Sequence, residues 1–286
     1  MIEINLLNLS KDERGTHEGY VTVHRQGKIF QRKQRLGRKE EKNTMSPNNI
    51  KEIQSLEDIG ISGNIHDKES FIIKFKNNSQ ALYKTIKPIG IIGEVNAFKT
   101  SKVLGWNIVP ETVKGNFGHG MGSCQKWVDG EEVYSQEYNN YGKKLTKKNI
   151  NDLAKIFAFD IITNNRDRHV GNFLVSNNKI WAIDNEEFGY LDAGKYLMER
   201  LDDACNYGNQ IGWGILQAIE DNFGNDQKIY KYFRNLVIEK LKEIVDKENK
   251  ILEIYKPVKN YNIKRKAIEE SFDYIKSKII EFEEKK

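Results

Sequence analysis

Residues 150–184 read INDLAKIFAFDIITNNRDRHVGNFLVSNNKIWAID, and their texture decides the fold. Ile150, Leu153, Ala154, Phe157, Ala158 and Ile161 recur at the i, i+3, i+4, i+7 spacing of an amphipathic helix, which Thr146 can cap. A polar loop, Thr163 to Asn172, follows. Then two short apolar runs, Phe173–Val175 and Ile180–Ile183, flank Ser-Asn-Asn and predict a hairpin. The loop places Asp167, His169 and Asn172 within six residues, and Asp184 stands 17 residues beyond Asp167 at the end of the hairpin. A hairpin that folds back brings Asp184 beside Asn172. One carboxylate to take a hydroxyl proton, with a carboxylate and an amide oxygen to hold Mg²⁺, is the set that metal-dependent phosphoryl transfer needs. The bland reading of the loop is a polar turn, for which Asn-Asn-Arg-Asp is good chemistry.

Upstream, the chain is strand-rich. Asp58–Asn64 mixes apolar residues with glycines. Ser70–Lys76 and Ala81–Ile86 flank the turn signal Asn77-Asn78-Ser79 and predict a hairpin. Gly93–Leu104 reads as a short helix with Gly105 as its C-cap. An extended piece starts at Ile108-Val109-Pro110, Gly115–Gly122 reads as a hairpin tip, and Cys124–Val128 as a strand. Lys84 is mid-strand, and Glu94 lies in the first turn of the following helix, where a glutamate can hold a strand lysine on nucleotide phosphates. Lys87 competes, but Lys84 alternates correctly and Lys87 precedes a proline. Ser62-Gly63-Asn64 can present backbone N–H groups to phosphate. Downstream the chain is helical: Ile229, Phe233, Val237, Leu241 and Ile244 share one face, and Ile268, Phe272, Ile275, Ile279 and Phe282 make a seam read as internal packing.

These elements predict an α+β chain of two lobes with a cleft between them: an N-terminal basic arm (1–50), a small β-rich lobe with one helix (51–128) and a mostly helical lobe carrying the loop (129–286). The 286 residues suffice for two modest lobes, each with a core. A composition that is 38% hydrophobic and 10% aromatic excludes a low-complexity disordered chain. No run is long and apolar enough for a membrane span, and the N-terminus lacks the pattern of a secretory signal. Cys124 and Cys205 suit free thiols in a reducing, cytoplasmic setting. The net charge of +5 is local: residues 25–39 hold seven Lys/Arg and no acid, and without them 39 basic residues face 41 acidic ones, a net of −2. That run reads either as a solvated arm or as a docking segment for an acidic or nucleic-acid partner. Arg168 reads as a loop-stabilising residue, and Trp106, Trp127, Trp181 and Trp213 as core or cleft wall.

The motif Asn165-x-Asp167-x-His169-x-x-Asn172, followed by the Ile183-Asp184 strand end, resembles the atypical kinases of the phosphoinositide-kinase and HipA-like group. The first lobe is similar as well, in Lys84, Glu94, Leu104-Gly105 and Val109-Pro110. The resemblance spans about 58–220. It implies a protein-kinase-like fold and an enzyme using ATP and Mg²⁺, with Asp167 as catalytic base and His169 either organising the catalytic loop or taking part in catalysis. Asn172 and Asp184 would bind Mg²⁺, Lys84 phosphate with Glu94 holding it, and Gln125, Lys126, Trp127 and Val128 would form the hinge at adenine. The chain departs from the pattern in two places: Asn185-Glu186 follows Asp184, and no G-x-G-x-x-G is present. The acidic residues Glu186, Glu187, Asp192, Glu199, Asp202 and Asp203 point to a cationic or protein substrate, and the acceptor expected is Ser or Thr of a protein. A small-molecule or lipid-headgroup kinase and a nucleotide-binding pseudokinase acting as an interaction module are the alternatives. A structural or nucleic-acid-binding protein rests only on the arm.

Overall fold

A computed structural model of the chain describes residues 2–11, 17–25, 28–36 and 69 as backbone, and 45–56, 70–133, 142–176, 179–209, 214–256 and 261–284 with side chains. It is an α+β structure in two compact units. One comprises Met1–Val95 and Pro110–Glu131, the other Asn96–Val109 and Glu132–Lys286. Residues 96–109 group with the second unit.

The first unit is β-rich. Strands β1 (Ile2–Lys11), β2 (His17–Arg25) and β3 (Lys28–Leu36) form an antiparallel meander. A loose arm or strand pair was the expectation, so the third strand is a correction. It carries most of the basic run, and its sequence KIFQRKQRL has no period-2 alternation to reveal it. Pairing to β2, with Val21 opposite Arg32 and Val23 opposite Phe30, defines it instead.

A second sheet runs β4-β5-β6-β8-β7, all antiparallel, from β4 (Ile50–Ser55), β5 (Glu69–Phe75), β6 (Gln80–Thr85), β7 (Thr112–Asn116) and β8 (Met121–Lys126). The hairpin expected over 70–86 is β5–β6. Its turn has Asn78 at φ +64°, and the Asn77 side chain accepts the Ser79 N–H. Alternate residues Phe71, Ile73, Phe75, Ala81, Tyr83 and Cys124 point to one face and build the core with Met45 and Phe117. Strand β4 follows a 3-10 turn at Pro47–Asn49, in a stretch read as the end of the arm. Asp58–Asn64, including Ser62 and Gly63, lies outside the described residues.

Helix α1 (Pro88–Leu104) begins five residues before the expected Gly93. Proline at its first position presets φ and forfeits only an N–H that has no intrahelical acceptor there. Glu94 is therefore in the second turn, not the first. At the other end Gly105, at φ +74°, donates to the Lys102 carbonyl and Trp106 to the Ser101 carbonyl. This Schellman arrangement stops the helix at the expected residue. The extended piece expected from Ile108 becomes a strand only at Thr112, because the N–H groups of Ile108 and Val109 go to Ser101 Oγ.

The second unit is mostly helical. After β9 (Glu131–Glu132) and a 3-10 turn at Lys147–Asn149 come α2 (Ile150–Thr163), β10 (Phe173–Ser176), β11 (Lys179–Ala182), α3 (Ala193–Tyr207), α4 (Gly214–Phe223), α5 (Gln227–Val245), α6 (Glu248–Tyr255) and α7 (Asn262–Glu284). Thr146 and Asn149 make a reciprocal cap ahead of α2. The expected stripe of α2 is buried, and so are Ile156, Phe159 and Ile162, because α3, α5, α7 and β11 surround it. Each such side chain contributes about 1.5–3 kcal/mol of burial, so α2 is the spine of this unit. The α5 face is Tyr230, Phe233, Val237, Leu241 and Ile244, with Ile229 half-buried. In α7, Ile268, Phe272 and Ile275 are buried, and the helix packs on α2, α5 and α6 of the same chain. No helix among the described residues is long and apolar enough to cross a membrane.

Candidate active site

The loop after α2 is built by side chains that replace missing backbone partners. Asn164 ends the helix in the left-handed region, at φ +51°. Its buried amide donates to the Ala267 carbonyl (2.9 Å) and Ser271 Oγ, and its oxygen accepts the Gly194 N–H (2.8 Å). Asn165 Oδ1 accepts the Asp167 N–H at 2.9 Å, the Asx turn that the Asn-Asn-Arg-Asp sequence favours. The Asp167 carbonyl then accepts from the His169 N–H (3.1 Å) and Asn172 Nδ2 (2.6 Å). His169 Nδ1 accepts the Gly171 N–H, so in the neutral ring the proton sits on Nε2. The side chains of Asp167 and His169 face solvent, and Asn172 is buried.

The hairpin β10–β11 returns the chain to this loop. Phe173 lies opposite Ala182, and one residue further the Ile183 N–H donates to the Asn172 carbonyl at 3.0 Å. Asp184 is the next residue, so a single backbone bridge separates it from Asn172. It is half-buried and takes φ +53°, a conformation that costs a non-glycine residue about 1–3 kcal/mol and persists only where the surroundings impose it.

Arg168, which is fully buried, holds the residues on either side of Asp184. Its guanidinium donates to both oxygens of Asp160 (3.0 and 3.3 Å from Nε, 3.1 Å from Nη2). It also reaches the Asn172 carbonyl (2.7 Å), the Ile183 carbonyl (2.6 Å) and Asn185 Oδ1 (2.6 Å). The loop-stabilising role expected of Arg168 is the one seen. Its acceptors across the hairpin were not visible in the sequence, and Asp160 passed there as one polar position on a helix.

The Asp167 carboxyl has its pKa raised, first because the surrounding chain partly desolvates it, then because Asp184 and Glu187 repel its charge against the pull of His169 and Arg168. Glu187 accepts from the Tyr190 hydroxyl and lies 3.9 Å from Arg166. Tyr190 has the Arg166 guanidinium 3.7 Å and the Lys264 ammonium 3.9 Å from its ring centroid, both within cation–π range. Beside these a cavity of about 1030 Å³ is bordered by Arg166, Tyr190, Leu191, Tyr196, Ile263 and Lys264. Leu191 (53%) and Ile263 (69%) are largely exposed at it. Sequence reading missed this group, since Lys264 is some hundred residues from Arg166. The acids expected to attract a cationic substrate are in part paired internally: Asp202 with Arg234 at 2.6 Å, Asp203 with Arg200 at 3.7 Å.

The first unit holds the remaining candidates. Lys84, between Ser70 on β5 and Ser123 on β8, sends its ammonium to Glu94 Oε1 at 3.0 Å. Glu94 is buried, and Gln125 Nε2 lies 3.5 Å from its other oxygen and donates to Thr112 Oγ1 at 3.0 Å. Lys87 is exposed. The stretch 125–128, expected as the hinge, ends strand β8. Gln125 supports the ion pair, and the N–H groups of Lys126 and Trp127 bond to the carbonyls of Glu111 and Gln80 within the same unit. Strand β8 ends at Lys126, leaving Val128 and Trp127 beyond it, with Trp127 Nε1 donating to Asp129.

No group of three or more His, Cys, Asp or Glu side chains suited to a metal occurs among the described residues. Asn172 and Asp184 nevertheless fit Mg²⁺, which takes one or two protein oxygens, keeps several waters and completes its shell on phosphate. The Asn172 amide nitrogen is committed to the Asp167 carbonyl, so its oxygen is the atom left for a cation.

Residues 128–286 match the model of the LepB N-terminal domain, which is more than half of the chain. The chain belongs to this family. No curated protein matches it in sequence. Solved structures similar to it include that of a Helicobacter pylori proinflammatory kinase, CtkA (19% identity, TM-score 0.44, covering 77% of this chain and 90% of that one). Another is a Shewanella oneidensis MR-1 toxin–antitoxin complex of HipA, HipB and operator DNA (12% identity, TM-score 0.45), where the match covers 76% of this chain and 65% of the other.

Proposed function

We propose that this protein is an atypical kinase of the HipA-like and phosphoinositide-kinase-like kind, moving the γ-phosphoryl group of ATP to a hydroxyl. The observation that carries this reading is the bridge that sets Asp184 next to Asn172, directly after a loop that displays Asp167 to solvent. In the reaction the acceptor oxygen forms a bond to the γ-phosphorus, the bond to the β-phosphate oxygen breaks, and Asp167 takes the hydroxyl proton. Its raised pKa makes it a better proton acceptor than a free aspartate. Mg²⁺ held by Asn172 and Asp184 would neutralise charge on the phosphates. Lys84, oriented by Glu94, would bind phosphate, and His169 would keep the loop in shape through its bond from Gly171.

The acceptor is read first as Ser or Thr of a protein. A second reading, a lipid headgroup, is favoured by the cations Arg166 and Lys264 and the exposed Leu191 and Ile263 at one cavity. An anionic amphiphile would suit that set. The basic run at 25–39 is proposed as a separate docking segment for an acidic or nucleic-acid partner, and deletion of 1–50 tests it.

Labelled ATP tests the main reading, with cell lysate and inositol-lipid vesicles offered as acceptors. The wild type is expected to transfer label. Asp167→Ala is expected to lose transfer and keep ATP binding, and Asp184→Ala to lose the Mg²⁺-dependent part of binding. An Mg²⁺-dependent thermal shift with ATP but no labelled product would leave a pseudokinase.

A further inference from the structure

Arg168 carries five N–H donors, and the structure directs all five inward: Nε and one of Nη2 to Asp160, the other of Nη2 to Asn185, and both of Nη1 to the carbonyls of Asn172 and Ile183. The first of these carbonyls accepts the bridge that joins the end of the loop to the end of the hairpin, and the second belongs to the residue that donates it. A single planar fork thereby fixes the residue that is Asn172 and the residue just before Asp184. Asp160, on the last turns of α2, is the only ionised partner of this fork among its described contacts, with an ion pair of 3.0 Å and both side chains buried.

Such a pair is a poor device for stability alone. Burying two charges carries a desolvation cost that their attraction roughly repays, and apolar residues of like volume often serve as well. What an apolar pair does not supply is a rigid five-donor fork aimed at two carbonyls on different segments. Asp160 is also tied to the start of the loop, since its Oδ1 accepts from Asn165 Nδ2 (3.2 Å) and its carbonyl from the Asn165 N–H (3.0 Å). Asn165 in turn holds the Asp167 N–H. One carboxylate on the unit's central helix thus reaches the residue of the proposed base on one side and the two proposed metal ligands on the other. From the opposite side Gly214, at φ +48°, packs so closely that a Cβ would stand 2.1 Å from the Arg168 carbonyl.

We propose that Asp160 is a positioning residue for the cation site: acting through Arg168, it holds Asn172 and Asp184 in the arrangement that lets them share one divalent cation. This rests on the reading of Asn172 and Asp184 as the ligands. Asp160 touches neither cation nor nucleotide. Its loss should weaken cation binding without weakening the contacts that hold the nucleotide at Lys84.

The test uses the full chain, Mn²⁺ as the probe and ATP as the nucleotide, with bound Mn²⁺ read by electron paramagnetic resonance. ATP affinity without metal is read separately, and circular dichroism reports folding. Asp160→Asn, which keeps shape and removes charge, is expected to raise the Mn²⁺ concentration for half-saturation about ten- to hundredfold, the range seen when outer-shell partners of metal ligands are lost. ATP affinity without metal should stay within about twofold. Arg168→Lys, which keeps the charge and loses the fork, should do the same, and Asp160→Glu should recover part of the loss. A folded Asp160→Asn protein with wild-type Mn²⁺ dependence overturns the proposal. If Asp160→Asn does not fold, Arg168→Lys decides by the same criterion. Asp184→Ala separates the two layers: if it leaves Mn²⁺ binding intact, the ligand assignment fails, and the positioning role falls with it. If it abolishes binding while folded Asp160→Asn does not weaken it, the ligand assignment stands and the positioning role alone is refuted.

Discussion

Replacing Lys84 with methionine should separate what the ion pair does for the fold from what the lysine does for a ligand. The ammonium lies 3.0 Å from Glu94, with the lysine side chain 12% exposed and the glutamate 1%. Removing it leaves a buried carboxylate whose remaining contact among the described residues is the 3.5 Å one from Gln125, and stranding a buried charge costs about 3–5 kcal/mol. The double variant Lys84→Met/Glu94→Leu removes both charges. It keeps apolar volume between β6 and α1 and, beyond the lysine's own contacts that both variants lose, gives up the contact of Gln125, about 1 kcal/mol. The double variant should therefore be more stable than the single one by about 2–4 kcal/mol, although it carries more changes. Urea unfolding of the full chain, followed by far-ultraviolet circular dichroism, measures this. ATP affinity should follow a different order. Both variants lack the ammonium, and a charge-assisted hydrogen bond contributes about 1.5–3 kcal/mol, so both should bind ATP roughly 10- to 150-fold more weakly. A Lys84→Met protein within about 1 kcal/mol of wild type would refute the buried pair. A double variant that is stable and binds ATP as tightly as wild type would refute the phosphate role of Lys84.

The acid limb of phosphoryl transfer should lie above the pH of an ordinary aspartate, because Asp167 binds its proton more tightly than a free carboxyl and the active, ionised form is lost as pH falls. Glu187→Gln removes a repelling charge and should move that limb to lower pH, whereas His169→Ala removes an attracting one and should move it higher; a pH–rate profile that ignores both changes would reject Asp167 as the group. Gly122→Ala places a Cβ 2.3 Å from the Lys84 carbonyl and 2.5 Å from the Tyr83 ring, so it should cost about 1–3 kcal/mol and lower the midpoint of thermal unfolding. Burial pushes the Cys124 thiol up to about 12 and the Cys205 thiol to about 11, so neither should react with a thiol reagent at neutral pH until denaturant is added.

The local patterns were legible where they repeat along the chain. The stripe of α2, the hairpins β5–β6 and β10–β11, the Schellman end at Gly105 and the spacing of Asp167, Asn172 and Asp184 all follow from neighbouring residues, because helix and strand periods are short. The same information placed Lys84 on a strand ahead of a helix carrying Glu94. It could not start that helix at Pro88, and it could not find β3 or β4, whose residues show no clear period and become strands through pairing with β2 and β5.

The site divides in the same way. Sequence alone determined that Asn172 and Asp184 meet at the base of one hairpin and that Asp167 lies on the loop before it, because a hairpin of fixed length must bring its ends together. Tertiary structure alone decided how they are held. Arg168 finds its acceptors on α2, on the loop and past β11, and Tyr190 lies between cations from the loop and from α7. Those partners are chosen by the packing of helices around α2, and a buried guanidinium must satisfy its donors wherever that packing leaves carbonyls and carboxylates within reach.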